Sequence, residues 1–163
     1  MTSKLIVDSI EGRTGKGFLT PDRPSFRAGM TADDSANHTT EAIIEFNSVS
    51  SSVLGHDSAG GFNTSTYKYT IPTTGIYYIG INLRASSLTD ASYHIVRLYK
   101  NGSEQANTKC IEDPQGGNQG MLHYSGIFSF SSSDVIHWTY QVSGDTSSQI
   151  DSGGTSFEGF LIG

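Results

Sequence analysis

The side chains that could do chemistry in this sequence include five histidines, and their spacing does not match a catalytic or metal site. They are His38, His56, His94, His123 and His137, with no HxH or HExxH pattern among them. His94 and His137 fall on predicted strands, opposite the more apolar face, so we expect them to face solvent or an interface. No GxSxG nucleophile elbow singles out one of the many serines. The sequence therefore predicts a protein that is not an enzyme.

Carboxylates are the second chemical group, and they lie in predicted loops. They are Asp33, Asp34, Asp57, Asp90, Asp113, Asp145 and Asp151. Loop carboxylates can bind calcium together with backbone carbonyls, but no DxDxDG spacing is present. We therefore expect solvated loops and no cofactor, with calcium as the alternative.

A glycine-rich segment, Gly12 to Gly17, has some of the features of a phosphate-binding loop. That motif requires Ser or Thr after its lysine, and Gly17 follows Lys16 here. Ile10 also stands where the first glycine of the motif belongs. We interpret the segment as a flexible tether.

Composition excludes several functional classes. The formal charge of −6 and the isoelectric point near 5.2 argue against binding nucleic acid through its phosphates. The apolar run near the N-terminus is too short and too charged for a signal peptide or a membrane span. Cys110 is the single cysteine, so no intrachain disulfide can form. The 19 glycines and the many serines and threonines suit an all-β protein.

The segment from Gly60 to Leu83 gives the strongest structural pattern. Tyr67, Tyr69 and Ile71 alternate with polar residues, which predicts a strand with one buried face. Pro72 to Gly75 then predicts a turn that returns the chain antiparallel. The next strand has Tyr77, Ile79, Ile81 and Leu83 on one face, while Ile76 and Tyr78 make the start of its other face apolar too.

Further strands are predicted along the rest of the chain. Asn101-Gly102 indicates a type I′ hairpin turn after a strand that begins near Ala91. The final run, Phe157 to Ile162, is so apolar that it should lie in the centre of a sheet. Two prolines within 20–28 predict an extended edge entry into the sheet. The remaining predicted strands are 42–46, 49–54, 103–111, 122–130 and 136–142.

Several short patterns follow one another in the order of a known family. They are Tyr69-Thr-Ile-Pro72, Gly75-Ile-Tyr-Tyr78, Leu98-Tyr-Lys-Asn-Gly102, Ser125-Gly-Ile-Phe128, Ser133-Asp-Val-Ile136 and Ser156-Phe-Glu-Gly-Phe-Leu-Ile162. Together they resemble the complement globular-head domain, a branch of the tumour-necrosis-factor-like jelly rolls. The resemblance implies an all-β jelly roll of about ten strands in two sheets over residues 20–163, assembled as a homotrimer. One departure is Ser133, where the family commonly has glycine.

Residues 1–19 are predicted to be an N-terminal anchor and tether. The apolar residues of the anchor are Leu5, Ile6, Val7 and Ile10. The segment SKLIVDSIE is similar to a short N-terminal stretch on structural proteins of marine tailed phages, which implies attachment to another virion protein. A first strand of the domain is the alternative interpretation.

The two-sided strands predict a subunit interface. The apolar residues on the faces opposite the predicted core are Ile76, Tyr78, Phe160 and Ile162. A monomer would leave them exposed to water. A closed assembly buries such residues, and the family resemblance implies threefold symmetry.

We expect a non-enzymatic virion protein, a trimeric knob that decorates the capsid or forms a fibre tip touching a host glycan or protein. The alternative is a secreted bacterial lectin-like module. Recognition is predicted for the loops 30–40, 56–61, 113–120 and 144–154, because loops vary without disturbing a sandwich. The candidate recognition residues are Asp33, Asp34, His56, Asp57, Gln115, Asn118, Asp145 and Asp151.

Overall fold

Antiparallel strands make up most of the chain in a computed structural model that describes residues 23–89, 92–112 and 118–163. The strands are β1 (Ser25–Gly29), β2 (Ala42–Ile43), β3 (His56–Asp57), β4 (Phe62–Asn63), β5 (Lys68–Thr70), β6 (Gly75–Ser86), β7 (Tyr93–Lys100), β8 (Ser103–Glu104), β9 (Cys110–Glu112), β10 (Gln119–Phe130), β11 (Val135–Ser143) and β12 (Gln149–Leu161). The helical structure within these ranges is one 3-10 turn, Ser51–Val53. An all-β class is confirmed.

The strands form two sheets. The five-stranded sheet has the order β10-β6-β12-β1-β3, and the seven-stranded sheet has the order β4-β5-β11-β7-β8, with β2 added beside β11 and β9 beside β7. β12 pairs with β6 on one side and β1 on the other, so the apolar final strand is central, as its sequence predicted. The predicted edge position of β1 is wrong, because β1 pairs with β12 on one side and the two-residue strand β3 pairs with its other side as the edge.

The core lies between the sheets and is rich in aromatic rings. Phe26 from the five-stranded sheet stacks on Tyr69 from the seven-stranded sheet, with ring centroids 3.8 Å apart. Trp138 and Phe157 meet edge to face across the same space. Tyr77, Ile79, Ile81 and Leu83 are fully buried, which confirms the predicted inner face of β6. This packing of alternate residues from facing sheets is what a β-sandwich requires.

Two turns have the predicted chemistry. Asn101 and Gly102 both have positive φ, 51° and 81°, as a type I′ hairpin needs. Pro72 to Gly75 does turn the chain, but β5 and β6 then lie in different sheets instead of pairing. This turn therefore carries the chain from the seven-stranded sheet to the five-stranded sheet.

The predicted return strand 103–111 is interrupted, because only β8 and the start of β9 are strands and residues 105–109 lie between them. Two other predicted strand segments form turns instead. Residues 49–54 were expected to be extended, but they contain the 3-10 turn and end with Leu54 in the left-handed region at φ 54°. Tyr67 was expected in a strand, but it has φ 62° and precedes β5. Each segment is a tight turn whose backbone donors bond locally: Val53 N donates to Ser50 O, and Tyr67 N to Asn63 O.

Candidate functional site: an apolar sheet face and a loop end

The outward face of the five-stranded sheet has an apolar patch, made of Ile76, Tyr78, Ile127, Phe160 and Ile162. Register places Ile127 beside Tyr78 and Tyr78 beside Phe160, in one row across β10, β6 and β12. The Tyr78 and Phe160 rings stack with centroids 5.1 Å apart. Ile127 is 68% exposed, Phe160 47% and Ile76 39%. The structure thus brings the four predicted interface residues to one surface and adds a fifth.

Ile127 is the member that the sequence did not reveal. Its strand was recognised from the alternation of Leu122, Tyr124 and Phe128, which face inward. The outward face of β10 also includes Ser125 and Ser129, so an isolated isoleucine between them gave no pattern. Only the register with Tyr78 shows that it extends the patch.

Polar pairs border the apolar patch on one side of the same sheet face. Arg27 and Glu158 are cross-strand neighbours whose Nε and Oε2 atoms lie 3.9 Å apart. His123 Nδ1 lies 2.8 Å from Asn82 Oδ1, one more step along the strands. An apolar centre with such a polar border is the usual composition of a protein interface.

A groove of about 510 Å³ opens at the other end of this sheet face. Its lining includes Arg27, Leu54, Asn82, Met121 and the backbone of Gly153 and Gly154. The two glycines belong to the part of β12 where the pairing with β6 shifts register, between Asp151 and Ser156. Leu54 is 72% exposed at the groove, and its left-handed conformation presents a large apolar side chain to solvent.

Two of the four predicted recognition loops, and Asn118 from the described part of a third, meet at one end of the sandwich. Asp34 forms a bridge with Ile150, Ser152 donates to Asp33, and Val142 N donates to His38 O. These bonds join the loop 30–40 to the segment 144–152. The loop after β6 belongs to the same end, because Leu88 N donates to Asn118 O. That loop was not predicted, since its residues are few and ordinary.

The fourth predicted loop, 56–61, is not part of this end. His56 and Asp57 form the edge strand β3, where His56 Nε2 lies 3.2 Å from Ser25 Oγ. The Asp57 carboxylate accepts from the backbone N–H of Phe62 and of Ala59. These two residues therefore lie beside the start of β1, at the opposite end of the sheet from Gly29.

Asp145 departs from the expectation of solvated carboxylates, whereas Asp33 is exposed as expected, and both accept hydrogen bonds from the protein. Asp145 is buried and accepts from Ser147 N, Ser147 Oγ and Thr89 N. Burial raises the pKa of Asp145, but these hydrogen bonds outweigh it and leave the pKa below its ordinary value. Hydrogen bonds from Ser152 likewise lower the pKa of Asp33.

Asp151 and Asp34 are held in the same way. Asp151 accepts from Ser86 Oγ and pairs with Arg84 at 3.2 Å, while Asp34 Oδ2 lies 3.0 Å from His38 Nε2. The backbone carbonyl oxygen of Asn118 accepts a hydrogen bond from Leu88 N. Gln115 lies outside the described residues, as do the anchor residues Leu5, Ile6, Val7 and Ile10.

The expectation that His94 faces solvent or an interface is wrong, and His137 lies on the outward face of its strand as expected but is not exposed to solvent. His94 is completely buried, with its ring between Ser92 and Tyr140. His137 lies on the other face of the seven-stranded sheet, 8% exposed and stacked on Tyr99. Burial, with a contribution from Lys68, lowers the pKa of His137 to about 4. Ser92 and Tyr140 give the buried His94 ring its polar partners, whereas the His137 ring is buried uncharged against Tyr99.

Within the described ranges, no three His, Cys, Asp or Glu side chains converge as ligands of a metal ion. The same ranges contain no helix of the length and apolarity needed to cross a membrane. Hydrogen-bonded carboxylates and a rigid sheet face can bind a partner by contact.

Comparisons of the whole chain agree with this architecture. No family model matches the sequence, and no curated protein matches it significantly. The globular domain of zebrafish complement 1qA is similar in structure, with a TM-score of 0.63 and 14% identity over 86% of this chain and 98% of that chain. Murine APRIL is also similar, with a TM-score of 0.58 and 12% identity over 86% and 99%. At these identities the likeness concerns the fold: the chain is a two-sheet β-sandwich of the jelly-roll kind found in complement globular heads and the tumour-necrosis-factor group.

Proposed function

We propose that this protein is a non-enzymatic structural protein of a phage virion, whose jelly-roll domain assembles as a homotrimeric knob. The single observation that carries the trimer is the apolar patch on the outward face of the five-stranded sheet. Its three most exposed members, Ile76, Ile127 and Phe160, are contiguous with the Tyr78 ring. Soluble monomers seldom leave such a patch in water.

The energetics favour closure over an open chain of subunits. Burying the exposed half of Phe160 contributes on the order of 1 kcal/mol per subunit, and the less exposed Tyr78 contributes less. A cyclic assembly satisfies every copy of the patch, whereas an open one leaves a free apolar end. The family resemblance favours three subunits.

The virion role rests on the N-terminal resemblance to tailed-phage structural proteins. In this proposal residues 3–12 bind another virion protein, and the knob decorates the capsid or forms a fibre tip. The loop end, with residues 30–40 and 144–152, is the surface offered to a host glycan or protein. Labelling purified virions with an antibody to this chain locates the knob on the particle.

Sedimentation equilibrium at micromolar concentration tests the interface. The wild type should be a trimer, and Tyr78→Asp or Phe160→Asp should dissociate it, because a buried carboxylate in the patch would lose its hydration. Tyr93→Asp is the matched control, since Tyr93 is 51% exposed on the outward face of the seven-stranded sheet. A folded wild-type monomer, or equal dissociation by Tyr93→Asp, would contradict the proposed interface.

A second candidate function is a secreted bacterial lectin-like module, and the groove beside Leu54 favours it. Its volume of about 510 Å³ is within the range of small-ligand sites, and Arg27 and Asn82 supply hydrogen-bond donors there. Glycan-array binding by the isolated domain that is lost in Asn82→Leu would support this alternative. An absence of the protein from purified virions would separate it from the first proposal.

A further inference from the structure

A chain of hydrogen bonds runs through the buried loop end of the sandwich and is centred on His94. His94 Nε2 lies 3.0 Å from Ser92 Oγ, and His94 Nδ1 lies 2.5 Å from Tyr140 Oη. Ser92 Oγ in turn donates to Thr89 O at 2.7 Å. His94 and Tyr140 are fully buried, so the chain is shielded from water.

The partners determine where the proton of the neutral ring lies. Ser92 has one hydroxyl proton and gives it to Thr89 O, so it can only accept from His94. Nε2 therefore carries the hydrogen, and Nδ1 is the bare nitrogen that accepts from the Tyr140 hydroxyl. Every group in the chain is satisfied when His94 is neutral.

The same chain holds two loops together. Thr89 N donates to the Asp145 carboxylate at 3.1 Å, so Thr89 joins the His94 chain to the loop after β11. Ser147 also donates from its hydroxyl to Ser87 O at 3.3 Å. Residues 87–89 and 145–148 are thus fastened to each other beside His94.

We propose that His94 is a proton-operated switch, whose protonation releases residues 87–89 and 145–148 from the end of the sandwich. A second proton, placed on Nδ1, removes the acceptor that the Tyr140 hydroxyl uses. The phenol must then turn its hydrogen away, and the buried Ser148 hydroxyl is the neighbour toward which it can turn. The switch is independent of trimer formation, since none of these residues is in the apolar patch.

Charged and titratable groups face His94 from each element packed around it. Glu112 on β9 is its cross-strand neighbour, Asp145 lies in the loop after β11, and His38, paired with Asp34, packs its ring against Tyr140. A positive charge on His94 would attract the Asp145 carboxylate, which Thr89 and Ser147 now hold. A charge on the fully buried ring also loses its hydration, so protonation favours a state in which the loop end beside His94 opens to water.

The direction of the pH effect follows from burial. Burial lowers the pKa of His94 below its ordinary value of 6.5, and Asp145 only partly opposes this. The opened state binds the proton more readily than the closed state, so the closed arrangement is complete above pH 6.5 and is lost as the pH falls. Release should therefore begin below pH 6.5.

Amide hydrogen exchange of the full-length protein, recorded by NMR from pH 7.5 to 5.0 and corrected for intrinsic rates, tests the switch. Protection of the Leu88, Thr89 and Ser147 amides should fall by up to about tenfold per pH unit below 6.5. His94→Gln retains a donor and an acceptor but does not titrate, so protection in this variant should not change with pH. Amides in the centre of β12 should stay protected in both proteins.

Matched variants separate His94 from the other buried histidines. His137→Gln removes a buried imidazole on the opposite sheet face and His38→Gln removes the neighbour of Tyr140, and both should retain the pH-dependent release. Nitrogen-15 shifts of the wild-type imidazoles provide a measurement without mutation: His94 should be the Nε2–H tautomer, and its protonation should coincide with shifts of the loop amides. Unchanged release in His94→Gln, loss of release in His38→Gln, the Nδ1–H tautomer, or loop shifts that do not coincide with protonation would each overturn the proposal.

Discussion

At the scale of single residues, Ser133 occupies a backbone conformation that suits glycine. Its φ is 74°, and it lies in the turn between β10 and β11, where its N–H donates to Ile71 O. A left-handed conformation costs a non-glycine residue about 1–2 kcal/mol. The family that the sequence resembles commonly has glycine at this position, and the positive φ is a physical reason for that choice.

We therefore expect Ser133→Gly to stabilise the protein. Relief of the strained φ should exceed the added entropy of the unfolded chain, for a net gain of about 0.5 kcal/mol in the free energy of unfolding. Urea denaturation measures it, with Ser129→Gly as the control, since Ser129 lies in β10 and its replacement should cost about 0.5–1 kcal/mol. Equal destabilisation by both changes would show that Ser133 is not strained.

The histidines show where residue-scale prediction fails. Along β7, Tyr93, Ile95 and Tyr99 make one face look more apolar, so His94 was assigned to the other, more polar face. That face is the buried one. The reason is the pairing of His94 with Ser92 and Tyr140, which come from the preceding loop and from a strand 46 positions away. No local pattern contains this information.

At the scale of elements, the close packing of β12 against its neighbours depends on Gly159. A Cβ at this position would lie 2.6 Å from Ile79 Cδ1, 2.8 Å from Phe26 Cε1 and 3.0 Å from Tyr78 O. Those atoms belong to the strands on both sides of β12 and to the core. The final strand can therefore be central only with glycine here.

Gly159→Ala should lower the free energy of unfolding by about 1–3 kcal/mol, because the added methyl group overpacks the core. Gly153→Ala is the matched control: it lies on the same strand, and a Cβ there meets no atom within 4 Å, so its cost should be small. Thermal unfolding followed by circular dichroism compares the two. A Gly159→Ala midpoint equal to that of Gly153→Ala would mean that β12 shifts to make room.

The long strands could be predicted from the sequence, and the short ones could not. β6, β10, β11 and the end of β12 alternate over enough residues for the period of two to be read from the sequence. β3, with only His56–Asp57, exists because Arg27 and Phe26 pair with it. The 3-10 turn at Ser51–Val53 was mistaken for a strand, since Val and Leu favour extended structure when tertiary contacts are ignored.

At the scale of the whole molecule, the order of the short family-like patterns predicted the sandwich. The strands with apolar residues on both faces predicted the apolar patch. The arrangement of loops could not be predicted in the same way. Residues 30–40 and 144–152 meet through bonds such as Asp34 to Ile150, which depend on how the sheets are joined. His56 and Asp57 lie at the other end because β3 pairs with the start of β1.

Among the described residues the core is built from β1 onwards, since Phe26 on β1 packs against Phe62, Tyr69 and Phe157. Deleting residues 3–12 should therefore leave the unfolding midpoint within about 2 °C of the wild type, which corresponds to roughly 0.5–1 kcal/mol for a chain of this size. Incorporation into virions should be abolished in the same variant, because the deleted segment is the proposed anchor. Ile6→Asp in the full-length chain is the matched control, as it removes apolar surface from the anchor while retaining its length. If either variant fails to fold, residues 3–12 form a strand of the domain, and if both fold and still enter virions, the attachment lies elsewhere on the knob.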